Sequence, residues 1–131
     1  MSKIKFYDVE IRERKRIVGE LLEVISSLKN REEMFEFLFR LLTPSEVIML
    51  ARRMQIAKML LENKKYDDIC KKMHVSHRTI ADIEGWLREN DKRANFVFKK
   101  IEALKKKGEN SQTSALIDKY SHHRFIKELF S

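Results

Sequence analysis

Three glycines and one proline among 131 residues are too few turn-formers for a β-rich fold. The single cysteine, Cys70, cannot form an intramolecular disulfide, which fits a reducing compartment. No apolar run is long enough to span a bilayer, and residues 1–8 hold none that would make a signal peptide. A cytoplasmic protein with no membrane partner is the expectation. There is no glycine-rich phosphate loop, and no nucleophile has a recognisable base beside it, so no enzyme and no cofactor are expected.

What the sequence has in abundance is Lys, Glu, Leu, Ile, Met and Arg, the residues of helices. The net charge is +8 and the isoelectric point about 9.6, a balance that suits a polyanion because each neutralised phosphate releases counterions. The fold class expected is all-α, with about six helices.

Apolar residues recur at helical spacing from about Tyr7 to Lys29, through Ile11, Val18, Leu21, Leu22, Ile25 and Leu28. Asn30 can cap a second helix with Glu32 and Glu33 in its first turn, burying Met34, Phe35, Phe37, Leu38, Leu41 and Leu42. Thr43-Pro44-Ser45-Glu46 is a helix start: a threonine cap, a proline that needs no N–H, and a glutamate that can close a capping box. The third helix runs to about Glu62 and is apolar on more than one side, so it needs partners on more than one side, part of them from a second subunit.

Residues 66–85 spell a helix-turn-helix, with helices near 66–73 and 77–87. Ile69, Met73, Val75, Ile80 and Ile83 fall where two short crossing helices touch, and Cys70 is small enough to let them cross closely. His74 stands in the turn, where positive φ is often required and histidine tolerates it better than most residues. Ser76 can cap the second helix. His77, Arg78, Thr79, Ala81 and Asp82 then point outward, on the face that would enter a major groove.

Asp91 can cap a further helix to about Lys107, and residues 88–107 hold eight basic and three acidic side chains. Residues 108–114 read as a flexible linker, and Ala115, Leu116, Tyr120, Phe125, Ile126, Leu129 and Phe130 as an amphipathic tail helix. The expected division is a DNA-binding domain over 1–107 and a linker with tail over 108–131.

Leu41-Leu42-Thr43-Pro44-Ser45-Glu46, followed by Leu50, Arg53, Ile56, Leu60, Leu61 and the helix-turn-helix, resembles the Trp repressor family over about residues 10–95. The likeness is greater to its relatives without an assigned ligand than to the tryptophan-sensing repressor. The resemblance implies an intertwined homodimer whose two reading heads face successive major grooves of a near-palindromic operator on double-stranded DNA. It also implies a ligand slot at Thr43, Arg53, Asp82, Ile83 and Trp86 that is vestigial. A carboxylate, Asp82 or Glu84, stands at or beside the position where the sensing members carry a second arginine, and two anions repel in a partly desolvated pocket. L-Tryptophan is therefore not the expected effector. Trp86 either fills the slot with its own indole or is a core aromatic.

Arg78 is the candidate base reader, since a guanidinium grips guanine bidentately; the alternative is an i,i+4 ion pair with Asp82. Thr79 suits a thymine methyl or a phosphate. Ser76 and His77 suit phosphates at the helix N-terminus. Lys64 and Lys65 are the leading phosphate contacts, with Arg52, Lys58, Lys71 and Lys72 behind them, against the alternative that each only keeps the surface soluble. Asp82 and Glu84 oppose phosphate unless each accepts from cytosine or pairs with a neighbour. Cys70, His74 and His77 are too few for a metal site. The resulting function is a sequence-specific transcription regulator, a repressor acting as a dimer. The alternative is a helical protein-interaction module that uses the helix-turn-helix as a docking surface.

Overall fold

The computed structural model describes residues 4–88, 96, 97, 99–104 and 111–130. The described residues are helical with no strand, as the composition requires. None of their helices is long and apolar enough to cross a membrane. The chain divides into two compact units, Met1–Leu41 and Leu42–Ser131.

The first unit holds a 3-10 turn at Phe6–Asp8, helix α1 (Ile11–Ser27) and helix α2 (Arg31–Leu41). The Arg14 guanidinium donates to the Val9 carbonyl at 2.8 Å, which fixes the entry to α1. On the solvated face Arg16 pairs with Glu13 and, at 3.1 Å, with Glu20; the charge-assisted bond to Arg16 holds the Glu13 carboxyl below its ordinary range. Asn30 caps α2 as its side chain predicts, accepting the Glu33 N–H at 2.9 Å, while Glu33 accepts the Lys29 N–H at 3.3 Å. The two bonds hold the chain at the helix start, although the second reaches the residue before the cap and not the cap itself.

The apolar faces of these helices find little cover. Helix α1 has no buried residue, and Ile11, Val18, Leu21, Leu22 and Ile25 are all exposed. In α2 only Phe35 is buried; its ring lies 4.2 Å from that of Phe39, centre to centre. The expectation that α2 buries Met34 and Leu41 fails: both are exposed, and Phe37, Leu38 and the following Leu42 are half-buried. A helix apolar around most of its surface cannot be covered by one neighbour.

The second unit starts with α3 (Pro44–Leu61), and its start is built as the sequence indicates. Thr43 Oγ1 accepts the Glu46 N–H at 3.2 Å, and Glu46 Oε1 accepts the Thr43 N–H at 2.8 Å. Helices α4 (Tyr66–Met73) and α5 (His77–Arg88) pack against α3 and against each other. The core runs through Ile56, Ala57, Met59 and Leu60 of α3, Ile69 of α4, and Ile80, Ile83 and Leu87 of α5. Ile101, in a helical stretch at 99–104, closes it. The Asp91 cap expected for that stretch lies outside the described residues, as does its expected end at Lys107.

Burial along α3 is lopsided. Ile56, Ala57, Met59 and Leu60 near its C-terminal end supply the core, whereas Ile48, Met49, Leu50 and Met54 before them are exposed. The excess apolar surface read from the sequence is therefore present and uncovered within the chain.

The tail departs from expectation in two ways. Ser111 already begins a helix, α6 (Ser111–Lys119), so residues 111–114 are not linker. A turn at 120–123 then separates α6 from a short α7 (Arg124–Leu129), where one tail helix was expected. His123 caps α7, its Nδ1 accepting the Phe125 N–H at 3.2 Å. Phe125 and Ile126 are buried, and α7 packs on α3.

Candidate nucleic-acid interface

The reading head is assembled from local signals that agree. The chain leaves α4 through His74, which adopts the left-handed region at φ 53° and ψ 51°. That conformation reverses the chain in two residues and costs a non-glycine residue some strain. Ser76 then starts α5: its Oγ accepts the Thr79 N–H at 3.3 Å and lies 3.1 Å from the Thr79 hydroxyl. Ile69 and Ile80 are fully buried where the two helices cross, and Cys70, Met73 and Val75 pack around them.

With Ile80, Ile83 and Leu87 pointing inward, the helical period leaves His77, Arg78, Thr79, Ala81 and Asp82 exposed. The expected outward face is therefore the observed one. Arg78 has no hydrogen-bond or ion-pair partner among the described residues, so the expected alternative, an ion pair with Asp82, is not formed. Lys64 and Lys65 are exposed at the turn between α3 and α4, and Lys71 and Lys72 on the last turn of α4.

Three side chains have roles the sequence does not reveal. His77 Nε2 lies 3.0 Å from Asp67 Oδ1, and its ring centre is 5.8 Å from that of Tyr66, so one of its two ring nitrogens already faces a protein partner. Glu84 is half-buried and accepts a hydrogen bond from the Tyr66 hydroxyl, so it is not one of the carboxylates opposing phosphate. Arg52 donates to the Met73 carbonyl at the end of α4. This satisfies one of the orphan acceptors of a helix terminus, and it engages a guanidinium that the sequence offers to phosphate. None of these contacts has a sequence signal, because each joins residues ten or more positions apart.

The Trp repressor protein family model matches residues 17–102. The chain belongs to the Trp repressor family. The match begins and ends seven residues later than the resemblance read from the motif, and it takes in the buried Ile101. Comparison with curated proteins and with solved structures finds no match. Membership in the Trp repressor family supports a DNA-binding transcription regulator, since members of the family are regulators and not enzymes.

The five residues expected at a vestigial Trp repressor ligand slot have different surroundings in the chain. Thr43 is committed to capping α3. Arg53 is exposed and lines an open cleft of about 250 Å³ together with Leu42, Glu46, Met49 and Leu50. Ile83 belongs to the core at 4% exposure, three residues from the fully buried Ile80. Asp82 is exposed, and neither it nor Trp86 is among the residues lining that cleft. Trp86 is 46% exposed, which excludes the core-aromatic reading within the chain.

Proposed function

We propose that this member of the Trp repressor family is a sequence-specific DNA-binding regulator that acts in the cytoplasm as a homodimer on a near-palindromic operator and represses by occupying it. The carrying observation is Arg78, exposed and without a partner among the described residues on the capped first turn of α5. A free guanidinium at the start of a helix that follows a tight turn is what direct readout of guanine needs. Lys64, Lys65 and the exposed Ser76 and His77 supply phosphate contacts around it, with Thr79 and Asp82 on the same helix face.

The dimer is supported by surface that one chain leaves wet. Ile11, Val18, Leu21, Leu22 and Ile25 of α1 and Ile48, Met49, Leu50 and Met54 of α3 expose apolar surface of the kind that a protein interface covers. Independence from tryptophan is supported by Asp82, an exposed carboxylate where the resemblance asks for a cation, and by burial of Ile83.

The competing reading, a docking module for another protein, draws on Asp82, which repels phosphate. It is weakened by Glu84, which Tyr66 occupies. Binding to a labelled random duplex across a salt series tests the two. The DNA-binding reading requires log K to fall steeply with log salt, with a slope of about −0.9 per phosphate contact. A flat or undetectable response would favour docking. Selection of bound fragments from random DNA should then return a near-palindrome, and added L-tryptophan should leave the affinity unchanged.

A further inference from the structure

We infer that a proton is a co-ligand of DNA at the start of the reading helix: His77 takes it up when a phosphate arrives, and Asp67 positions the ring that carries it. This inference rests on the proposed DNA-binding reading.

His77 is the first residue of α5 and is exposed, between the exposed Ser76 and Arg78. Its Nε2 lies 3.0 Å from Asp67 Oδ1. An ionised carboxylate only accepts hydrogen bonds, so Nε2 carries the hydrogen. In the neutral ring the other nitrogen, Nδ1, is then a bare acceptor. Nδ1 has no partner among the described residues.

The neutral pair is therefore a poor partner for a phosphate. It offers a lone pair to oxygens that only accept, and the exposed Asp67 carboxylate adds a second anion close by. One proton reverses both effects. The imidazolium donates from Nε2 to Asp67 and from Nδ1 to the phosphate, as a cation between two anions. A phosphate beside the ring favours the charged form, so phosphate and proton bind together.

The other charged groups nearby do not replace Asp67 in this exchange. On α4, Asp68 is exposed, and the Tyr66 ring lies 5.8 Å from the His77 ring, centre to centre, with its hydroxyl committed to Glu84 of α5. On α5, Arg78 has no partner among the described residues. From α3, which packs on both helices, Arg52 is engaged at the Met73 carbonyl, and neither Lys58 nor Glu62 of its last turn pairs with His77. Lys64 and Lys65, in the turn before α4, attract phosphate without changing charge near neutral pH.

The consequence is regulatory. Affinity follows pH through the range in which histidine changes its charge, so acidification tightens the hold on DNA and alkalinisation loosens it. Each reading head contributes one such proton.

Calorimetric titration of the full chain with a random duplex at about pH 7, in two buffers of different ionisation enthalpy, counts the protons taken up. A substantial fraction of one proton per chain is expected. The affinity should fall between about pH 6.5 and pH 8, by up to about tenfold per unit for each head. His77→Gln keeps a donor for the phosphate and cannot titrate, so it should lose this dependence and most of the uptake. Asp67→Asn supplies an amide that pairs with either ring tautomer, which lets the neutral ring donate from Nδ1. That variant should bind more tightly than the parent at about pH 8 and show a flatter pH profile. Binding without proton uptake overturns the inference and leaves the DNA-binding reading standing. So does a His77→Gln or Asp67→Asn variant with the parent's pH slope. No binding at low salt at any pH overturns the DNA-binding reading, and the inference with it.

Discussion

Tyr66, the first residue of α4, donates its phenolic hydrogen bond to the Glu84 carboxylate on α5, joining positions 18 apart in the chain. The bond ties the start of the scaffold helix to the middle of the reading helix, and it turns inward a carboxylate that would otherwise meet phosphate. Tyr66→Phe keeps the ring and removes the donor. The half-buried acceptor loses a strong partner, at a cost of about 1 kcal/mol. Urea unfolding should show that loss. Glu84→Gln, which can still accept the hydrogen bond, should lose less.

Arg78 and Arg52 carry the same charge and should part experimentally. Arg78→Ala should leave stability within about 0.5 kcal/mol, since no described residue partners it, and remove about 1–3 kcal/mol of discrimination at one operator position. Arg52→Ala releases the Met73 carbonyl at the end of α4. It should lower stability by about 1 kcal/mol, with sequence preference and salt slope unchanged. Parallel thermal unfolding and competition binding separate the two effects.

The cap of α3 gives the fold an acid sensitivity. The Thr43 backbone N–H, and then its side chain, hold the Glu46 carboxyl below its ordinary range. A carboxyl lowered on folding stabilises the folded state above its unfolded value, and that contribution is lost as pH falls through the folded value. Stability should therefore decline from about pH 4 downward, around the ordinary carboxylate range. Glu46→Gln should flatten this part of the profile in urea titrations at stepped pH.

Phe125 anchors the tail. Truncating a buried phenylalanine costs about 3–5 kcal/mol, more than the docking of a helix as short as α7 can absorb. Phe125→Ala should thus detach α7 from α3 and leave the α3–α5 core folded. Limited proteolysis should cut the variant within residues 111–130 at a protease concentration that spares the parent chain, while the thermal midpoint of the core moves little.

The local devices were legible because they are local. Asn30 with Glu33, Thr43 with Glu46, Ser76 with Thr79, and the left-handed His74 all act within a few residues, where residue type and spacing leave one satisfactory arrangement. The helix-turn-helix boundaries were legible for the same reason, since the period of Ile69, Ile80 and Ile83 assigns the buried face. The tail was misread at residues 111–114 because a polar Ser-Gln-Thr-Ser run has the composition of a linker. The tail returns to α3 through α7, and composition does not report such a return.

The sequence alone determined an all-α chain, the positions of its caps and turn, the outward face of α5, and a family that reads DNA. These follow from nearest-neighbour hydrogen bonding and from a period of 3.6 residues. Only the tertiary structure decided which charged groups remain available. It left Arg78 without a partner, engaged Arg52 at Met73 and Glu84 at Tyr66, put Ile83 into the core, and left Trp86 half in water. Those outcomes depend on where helices distant in sequence cross, because a side chain is satisfied by whatever the crossing brings within reach.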